Sequence, residues 1–302
     1  MLKYKTTQVG AITTMRSDNG FNLFITSDIH FDSVYCNRDR FFKDLEIGID
    51  RGCNIIIVGD LFDAMNGRFD PRRDMSHLRP EYRRDDYYDF IVDDAVEKLK
   101  PYAKHILMIT EGNHEGSVLK NANTDLIGRL TKKLNILRGG YGGIILAKDK
   151  KHTTPIKYFH GSGGEAPVTK GAIQTNRQAV FLPDFQIVLN GHSHNAYWIP
   201  LVRERVSFEG EHYYDIQHHI RTPGYLMSYG DGTNGWEVTR GGVPKPVGSF
   251  VLKIKDGEIF PYPIIHAPKA ISPVIDQYSG IVFPQDSEEG VKHGHKKEKS
   301  RK

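Results

Sequence analysis

Residues 54–63 read NIIIVGDLFD, and this stretch decides what kind of sheet the chain builds. Asn54 to Val58 is almost wholly apolar and β-branched, with no alternation of polar and apolar positions. That pattern belongs to a short strand covered on both faces, the usual state in a parallel sheet. Gly59 stops it and Asp60 follows at once. An acid just past the carboxyl end of a buried strand lies where α/β sheets hold their ligands.

The same arrangement recurs on either side. Phe21 to Thr26 reads as a strand running into Ser27-Asp28-Ile29-His30. His105 to Thr110 runs into Gly112-Asn113-His114-Glu115, Ile156 to His160 into Gly161, and Phe185 to Asn190 into Gly191-His192-Ser193-His194. Helices are expected between them. Asn37 can cap one carrying Phe41, Leu45 and Ile49, with Gly52 past its end. Tyr87, Ile91, Ala95 and Leu99 form the stripe of a second, stopped by Pro101, and Leu126, Leu130 and Leu134 mark a third. From about Arg205 to Tyr262 the sequence reads as short β-like runs broken by Gly and Pro, with no helix. The implied fold class is α/β followed by β, most simply two packed sheets with helices outside. One domain is expected over 1–283, with a motif-bearing part at 21–200 and a β-rich part at 201–283, followed by a basic tail at 284–302.

The blocks at the strand ends are rich in aspartate and histidine. In an extended chain residues i and i+2 point the same way, so Asp28 and His30 are expected to face one ligand together, as are His192 and His194. The glycines at 59, 112, 161 and 191 allow tight turns in a crowded place. Imidazole mixed with carboxylate suits Mn, Fe, Zn or Ni better than Mg or Ca, which prefer oxygen alone.

Composition narrows the class further. At 302 residues, with 38% hydrophobic and 26% charged, the chain has the balance of a globular protein. It has no apolar run long enough to span a bilayer and no secretory leader pattern, so no membrane association is expected. Two cysteines, Cys36 and Cys53, form no CxxC pair, and a reducing cytoplasm is the expected location. The formal charge of +4 is concentrated at the end, where Lys292 to Lys302 carries six positive charges against Glu298. Such a tail is ordinarily a solvated end rather than a binding arm.

Taken in order, DxH, GDxxD, GNHE, H and GHxH resemble the calcineurin-like metallophosphoesterase superfamily, over Asp28 to His194. The resemblance implies a four-layer α-β-β-α sandwich and a phosphoesterase with two divalent metal ions, Mn foremost and Fe, Zn or Ni as alternatives. It implies Asp28, His30, Asp60 and His194 at the first ion, and Asn113, His160 and His192 with a bridging Asp60 at the second. His114 falls at the general-acid position and Asp63 at that of the carboxylate that orients it. Asp32 and Glu115 read as neighbours only.

Ala64 stands where the protein phosphatases of the superfamily carry arginine, which favours a phosphodiester substrate. The GDLFD wording looks more like SbcD-type repair exonucleases, so DNA or RNA is the expected substrate class. The alternatives are a phosphomonoesterase, a nucleotide or sugar-lipid pyrophosphatase, or a catalytically silent binding scaffold. The stretch 68–86, with six arginines and five acids, leaves room for a nucleic-acid backbone, a homo-oligomer or partner subunit, or a salt-bridged surface.

Overall fold

In the computed structural model, residues 4–65, 70, 73–164, 168–230 and 235–267 are described. Their elements, in chain order, are β1 (Lys5–Val9), β2 (Ile12–Arg16), β3 (Phe21–Thr26), α1 (Arg38–Asp50), β4 (Asn54–Ile57), α2 (Tyr87–Leu99), β5 (Ile106–Ile109), α3 (Asn113–Ala122), α4 (Leu126–Leu134), β6 (Leu137–Arg138), β7 (Gly142–Lys148), β8 (Thr153–Phe159), α5 (Ala172–Phe181), β9 (Ile187–Asn190), β10 (Tyr197–Val206), β11 (His212–Arg221), α6 (Trp236–Thr239), β12 (Val247–Lys255) and β13 (Glu258–His266). They build a seven-stranded sheet, β1-β2-β7-β8-β9-β11-β10, and a six-stranded sheet, β13-β12-β3-β4-β5-β6.

The apolar runs go where their pattern sends them. Strands β4, β5 and β9 are buried at every residue, and β3–β4–β5 pair in parallel. Alternation within β3 splits two cores. Leu23 and Ile25 point between the sheets, joining Ile56, Leu252, Ile145, Tyr158 and Leu189. Phe24 points the other way, toward Phe41 and Leu45 of α1 and Ile91, Ala95 and Leu99 of α2. Each fully buried side chain of this size contributes about 1.5–3 kcal/mol. The Asn37 side chain caps α1 by accepting from the Arg40 amide at 3.1 Å, and Asp125 caps α4 by accepting from the Gly128 amide at 2.8 Å.

The architecture is a mixed α/β one, with two sheets and helices outside them. Its outer layers are unequal. Helices α1, α2 and α4 pack on the six-stranded sheet, whereas α5 buries only Thr175. Gln217 of β11 is tied just past α5, donating to the carbonyls of Leu182 and Phe185 at 2.8 Å each.

Several elements differ from the sequence expectation. The region read as short β-like runs holds the long strands β11 to β13, together with the four-residue helix α6. Pro261, a proline inside that region, lies on β13, which is an edge strand. An edge strand loses little to a missing N–H. Strands β1, β2 and β7 and helices α3 and α5 were not expected.

Met1–Ala270 form one compact unit. The boundary at 283, the tail 284–302 and positions 66–69 and 71–72 of the arginine-rich stretch lie outside the described residues. Among the described residues, no helix is long and apolar enough to cross a membrane.

Candidate metal centre

Strands β3, β4 and β5 of one sheet and β8 and β9 of the other deliver their following residues to one place. The first two loops are zippered together. The Asp28 amide donates to the Gly59 carbonyl at 3.0 Å, Ile29 to Asp60 at 2.8 Å, and Phe31 to Leu61 at 2.8 Å. The second sheet joins through the His192 amide, which donates to the Asp28 carboxylate at 2.9 Å. Close approach leaves no room for a side chain at two points. A Cβ at Gly112 would collide with the Asp60 carboxylate, and one at Gly191 with Ser27 and Asp28.

The local backbone is not the extended chain expected from the i, i+2 spacing. Asp28 (φ 49°), His30 (φ 52°), Asp60 (φ 49°), His192 (φ 74°) and His194 (φ 56°) all sit in the left-handed region. For a residue with a Cβ that conformation costs about 1–2 kcal/mol. Paired side chains meet here because alternate residues turn, not because a strand continues. Strain of this kind persists only where surrounding bonds over-determine it, and it gathers at functional sites.

His30, His160 and His192 share one design. His30 Nδ1 lies 3.0 Å from the Asp63 carboxylate, His160 Nδ1 2.8 Å from the Val58 carbonyl, and His192 Nε2 3.0 Å from the Gly163 carbonyl. One nitrogen of each ring is thus pinned, which fixes the tautomer and leaves the other as a lone pair. Those second nitrogens converge on oxygens. His160 Nε2 is 3.0 Å from Asp60 Oδ2 and 3.2 Å from Asn113 Oδ1, and His192 Nδ1 is 2.7 Å from Asn113 Oδ1. His194 Nε2 is 3.3 Å from Asp28 Oδ1. His30 Nε2 is buried with no hydrogen-bond partner among the described residues.

Among the described residues, three groups of side chains have ligand atoms within 4.8 Å of one another: Asp28, His30 and His194; His30, Asp60 and His114; Asp60, His160 and His192. A buried orphan nitrogen beside mixed imidazole and carboxylate donors fits divalent cations. All nine residues singled out in the sequence are brought together here. Asp63 is placed between two rings, with its carboxylate 3.0 Å from His30 and 3.6 Å from His114, and its carbonyl 2.6 Å from His114 Nδ1.

The electrostatics are those of crowded acids held ionised. Burial alone would raise Asp60, but the imidazoles of His160 and His114 hold it well below the usual carboxylate range. Asp28 likewise falls to about 2 against the same penalty, pulled down by His194 and His160. Burial works to lower His160, yet the Asp60 and Asp28 charges push it up to about 10. His30 is lowered by burial and by His114, which keeps its lone pair available. A cation arriving among these groups displaces protons, so its affinity rises with pH.

Two residues set aside in the sequence carry the loops. The buried Glu115 carboxylate accepts from the amides of Gly112 (2.8 Å), Phe62 (2.9 Å) and Asp60 (3.2 Å). Burial and the Asp60 charge push it up to about 7. Asp32 accepts from the amides of Asp63 (2.7 Å) and Ala64 (3.0 Å) and from Tyr87 Oη at 2.5 Å. Glu115 had one local signal, its place three residues after the Gly112 cap of α3. Asp32 had none, since its partners come from another loop and from α2.

A family model described as calcineurin-like phosphoesterase matches residues 21–196. No curated protein matches the chain. Among solved structures, a metallophosphoesterase from Sphaerobacter thermophilus is 14% identical, with 82% of this chain and 88% of that chain covered and a TM-score of 0.37. Vacuolar protein sorting 29 from Cryptosporidium parvum is 11% identical, covering 83% and 100%, with a TM-score of 0.35.

Proposed function

Because the chain belongs to the calcineurin-like phosphoesterase family, we propose that it is a two-metal phosphodiesterase, with Mn as the preferred ion and nucleic acid as the substrate class. The observation that carries this reading is the presentation of the histidines. The pinned rings of His160 and His192 turn their second nitrogens toward the Asp60 carboxylate and the Asn113 amide, His194 Nε2 faces Asp28, and the buried His30 Nε2 is left without a hydrogen-bond partner among the described residues. Asp28, His30, Asp60 and His194 would hold one ion, and Asp60, Asn113, His160 and His192 the other. Divalent ions there supply Lewis-acid neutralisation of the phosphoryl oxygens and activation of a water.

The remaining steps belong to the chain. His114 lines the same pocket, with Nδ1 held by the Asp63 carbonyl and Nε2 toward Asp60. It would donate the proton that the leaving alkoxide takes up. Asp63 positions His30 and His114 together. Glu115 and Asp32 hold the loop that carries Asp60 and Asp63.

Diester preference is supported by the residue directly after Asp63. Ala64 is fully buried with its amide tied to Asp32, so this position offers no cation for the second charge of a monoester. The chain carries two cysteines, both buried, and this sparse use supports a reducing, cytoplasmic setting. The test is kcat/KM for bis-p-nitrophenyl phosphate against p-nitrophenyl phosphate at one pH with saturating Mn. A higher value for the diester is expected. Preference for the monoester rejects the diesterase reading, and no turnover of either favours the silent scaffold.

A further inference from the structure

The candidate ligands His30, Asp60, Asn113, His192 and His194 line a cavity of about 870 Å³, large enough for a drug-sized molecule and far larger than a phosphoryl group needs. Its outer wall includes Trp236, Glu237, Arg240 and Lys245, and none of them belongs to the motif blocks. All four lie in the connection that leaves β11 in one sheet and enters β12 in the other.

That connection is tied to the candidate centre. The Tyr225 amide donates to the Asp28 carbonyl at 2.9 Å, the Met227 amide to the Tyr35 carbonyl at 2.9 Å, and the Gly248 amide to the Gly224 carbonyl at 2.8 Å. Gly224, at φ 80°, passes so close to Asp28 that a Cβ would strike its carbonyl. Both ends of the connection are therefore anchored beside the first candidate ligand, and the Glu237 amide ties the wall to this anchored part by donating to the Ser228 carbonyl at 3.0 Å.

The wall pairs a flat face with positive charge. Trp236 is 44% exposed, and the Arg240 guanidinium lies 4.6 Å from its ring centroid. The Lys245 side chain is 13% exposed, with Nζ 3.3 Å from Asn195 Oδ1 and 3.9 Å from the Glu237 carboxylate. An indole left half open beside two cations, in one cavity with ligands suited to a phosphoryl group, matches a base joined to a phosphate through a sugar. Base–aromatic stacking is worth about 1–3 kcal/mol and tolerates any base.

We propose that Trp236, with Arg240 and Lys245, forms a nucleoside-recognition wall, so that the preferred substrate is a diester of a nucleoside 5′-phosphate. This deepens the phosphodiesterase reading and rests on it. The test compares thymidine 5′-(p-nitrophenyl phosphate) with methyl p-nitrophenyl phosphate, which share a leaving group and differ only in the nucleoside. Wild type should prefer the thymidine ester, and Trp236→Ala should reduce that preference about tenfold, as the loss of one base–aromatic stack would. Trp236→Phe should restore most of it.

Equilibrium dialysis of thymidine 5′-monophosphate against inorganic phosphate, on the Mn-loaded chain, reads the wall without turnover. Trp236→Ala should weaken the nucleotide about tenfold relative to phosphate. If no diester is hydrolysed but this difference holds, the catalytic reading fails and the wall stands. If the preference is absent, or Trp236→Ala changes both partners by one factor, the wall is overturned whatever the activity. Turnover of a thymidine dinucleotide above that of a 20-residue oligothymidylate assigns a free nucleotide as the source, and the reverse order assigns a strand end.

Discussion

His114 enters the pocket with its tautomer chosen. Nδ1 sits 2.6 Å from a carbonyl oxygen, so it carries the hydrogen, and Nε2 is the atom left to exchange a proton with a substrate. His114→Asn should therefore keep metal content yet lower kcat about 10²–10⁴-fold on a diester with an alkyl leaving group. The loss should shrink on p-nitrophenyl esters, whose product needs no proton. Equal losses on both would give His114 another role. Glu115→Gln tests the loop brace: three amides point at a carboxylate, and an amide side chain accepts with one oxygen only. Unfolding in urea should show a loss of about 1–3 kcal/mol, together with weaker Mn binding. Unchanged stability would mean that the brace is dispensable. At this scale the residues of the candidate centre were legible, because aspartate, histidine and glycine after apolar runs have few other uses in such number. Glu115 and Asp32 were not, because their work is to accept from the amides of loops distant in sequence.

Among the elements, β11 has an acid-sensitive end. His218 is pulled down by burial to about 4, and His219 to about 4 by burial and then by Arg203 and His218. His218 Nδ1 accepts from Trp198 Nε1 at 3.0 Å across the β10–β11 pair, a bond that a proton on that nitrogen would break. Both groups bind protons more readily when unfolded. Their contribution is complete above about 6.5, and it is lost progressively as pH falls through that value toward about 4. Urea midpoints at pH 7.5 and pH 5 should therefore fall for wild type and fall less for the His218→Gln, His219→Gln double variant. Parallel declines would assign the acid sensitivity to other groups. Strands buried on both faces were readable from composition alone, as in β4. The full length of edge strand β13 was not, since Pro261, which would signal a break in a central strand, is tolerated at an edge. Helix α3 was hidden because its first turn is the GNHE block itself, whose chemistry masks its helical role.

Across the whole molecule, the centre exists only when two sheets pack. Asp28, His30, Asp60, Asn113 and His114 follow strands of the six-stranded sheet, while His160, His192 and His194 follow strands of the other. The apolar layer of Leu23, Ile25, Ile56, Tyr158 and Leu189 between the sheets sets the spacing at which the two groups meet. The two-sheet class was legible from alternating strands and helices and from the resemblance of the ordered blocks. The Trp236 wall was not, since a loop that crosses between sheets leaves no periodic mark. Asp60, like Asp28 and Asn113, is in contact with both halves, 3.0 Å from His160 and zippered through its carbonyl to Ile29. The most direct test of the shared centre is the Mn content per folded chain, measured by elemental analysis for wild type and for Asp60→Ala, with circular dichroism to show that both are folded. The expected result is two ions in wild type and none firmly held in the variant. Full occupancy in folded Asp60→Ala would contradict the shared carboxylate, and with it the two-metal centre.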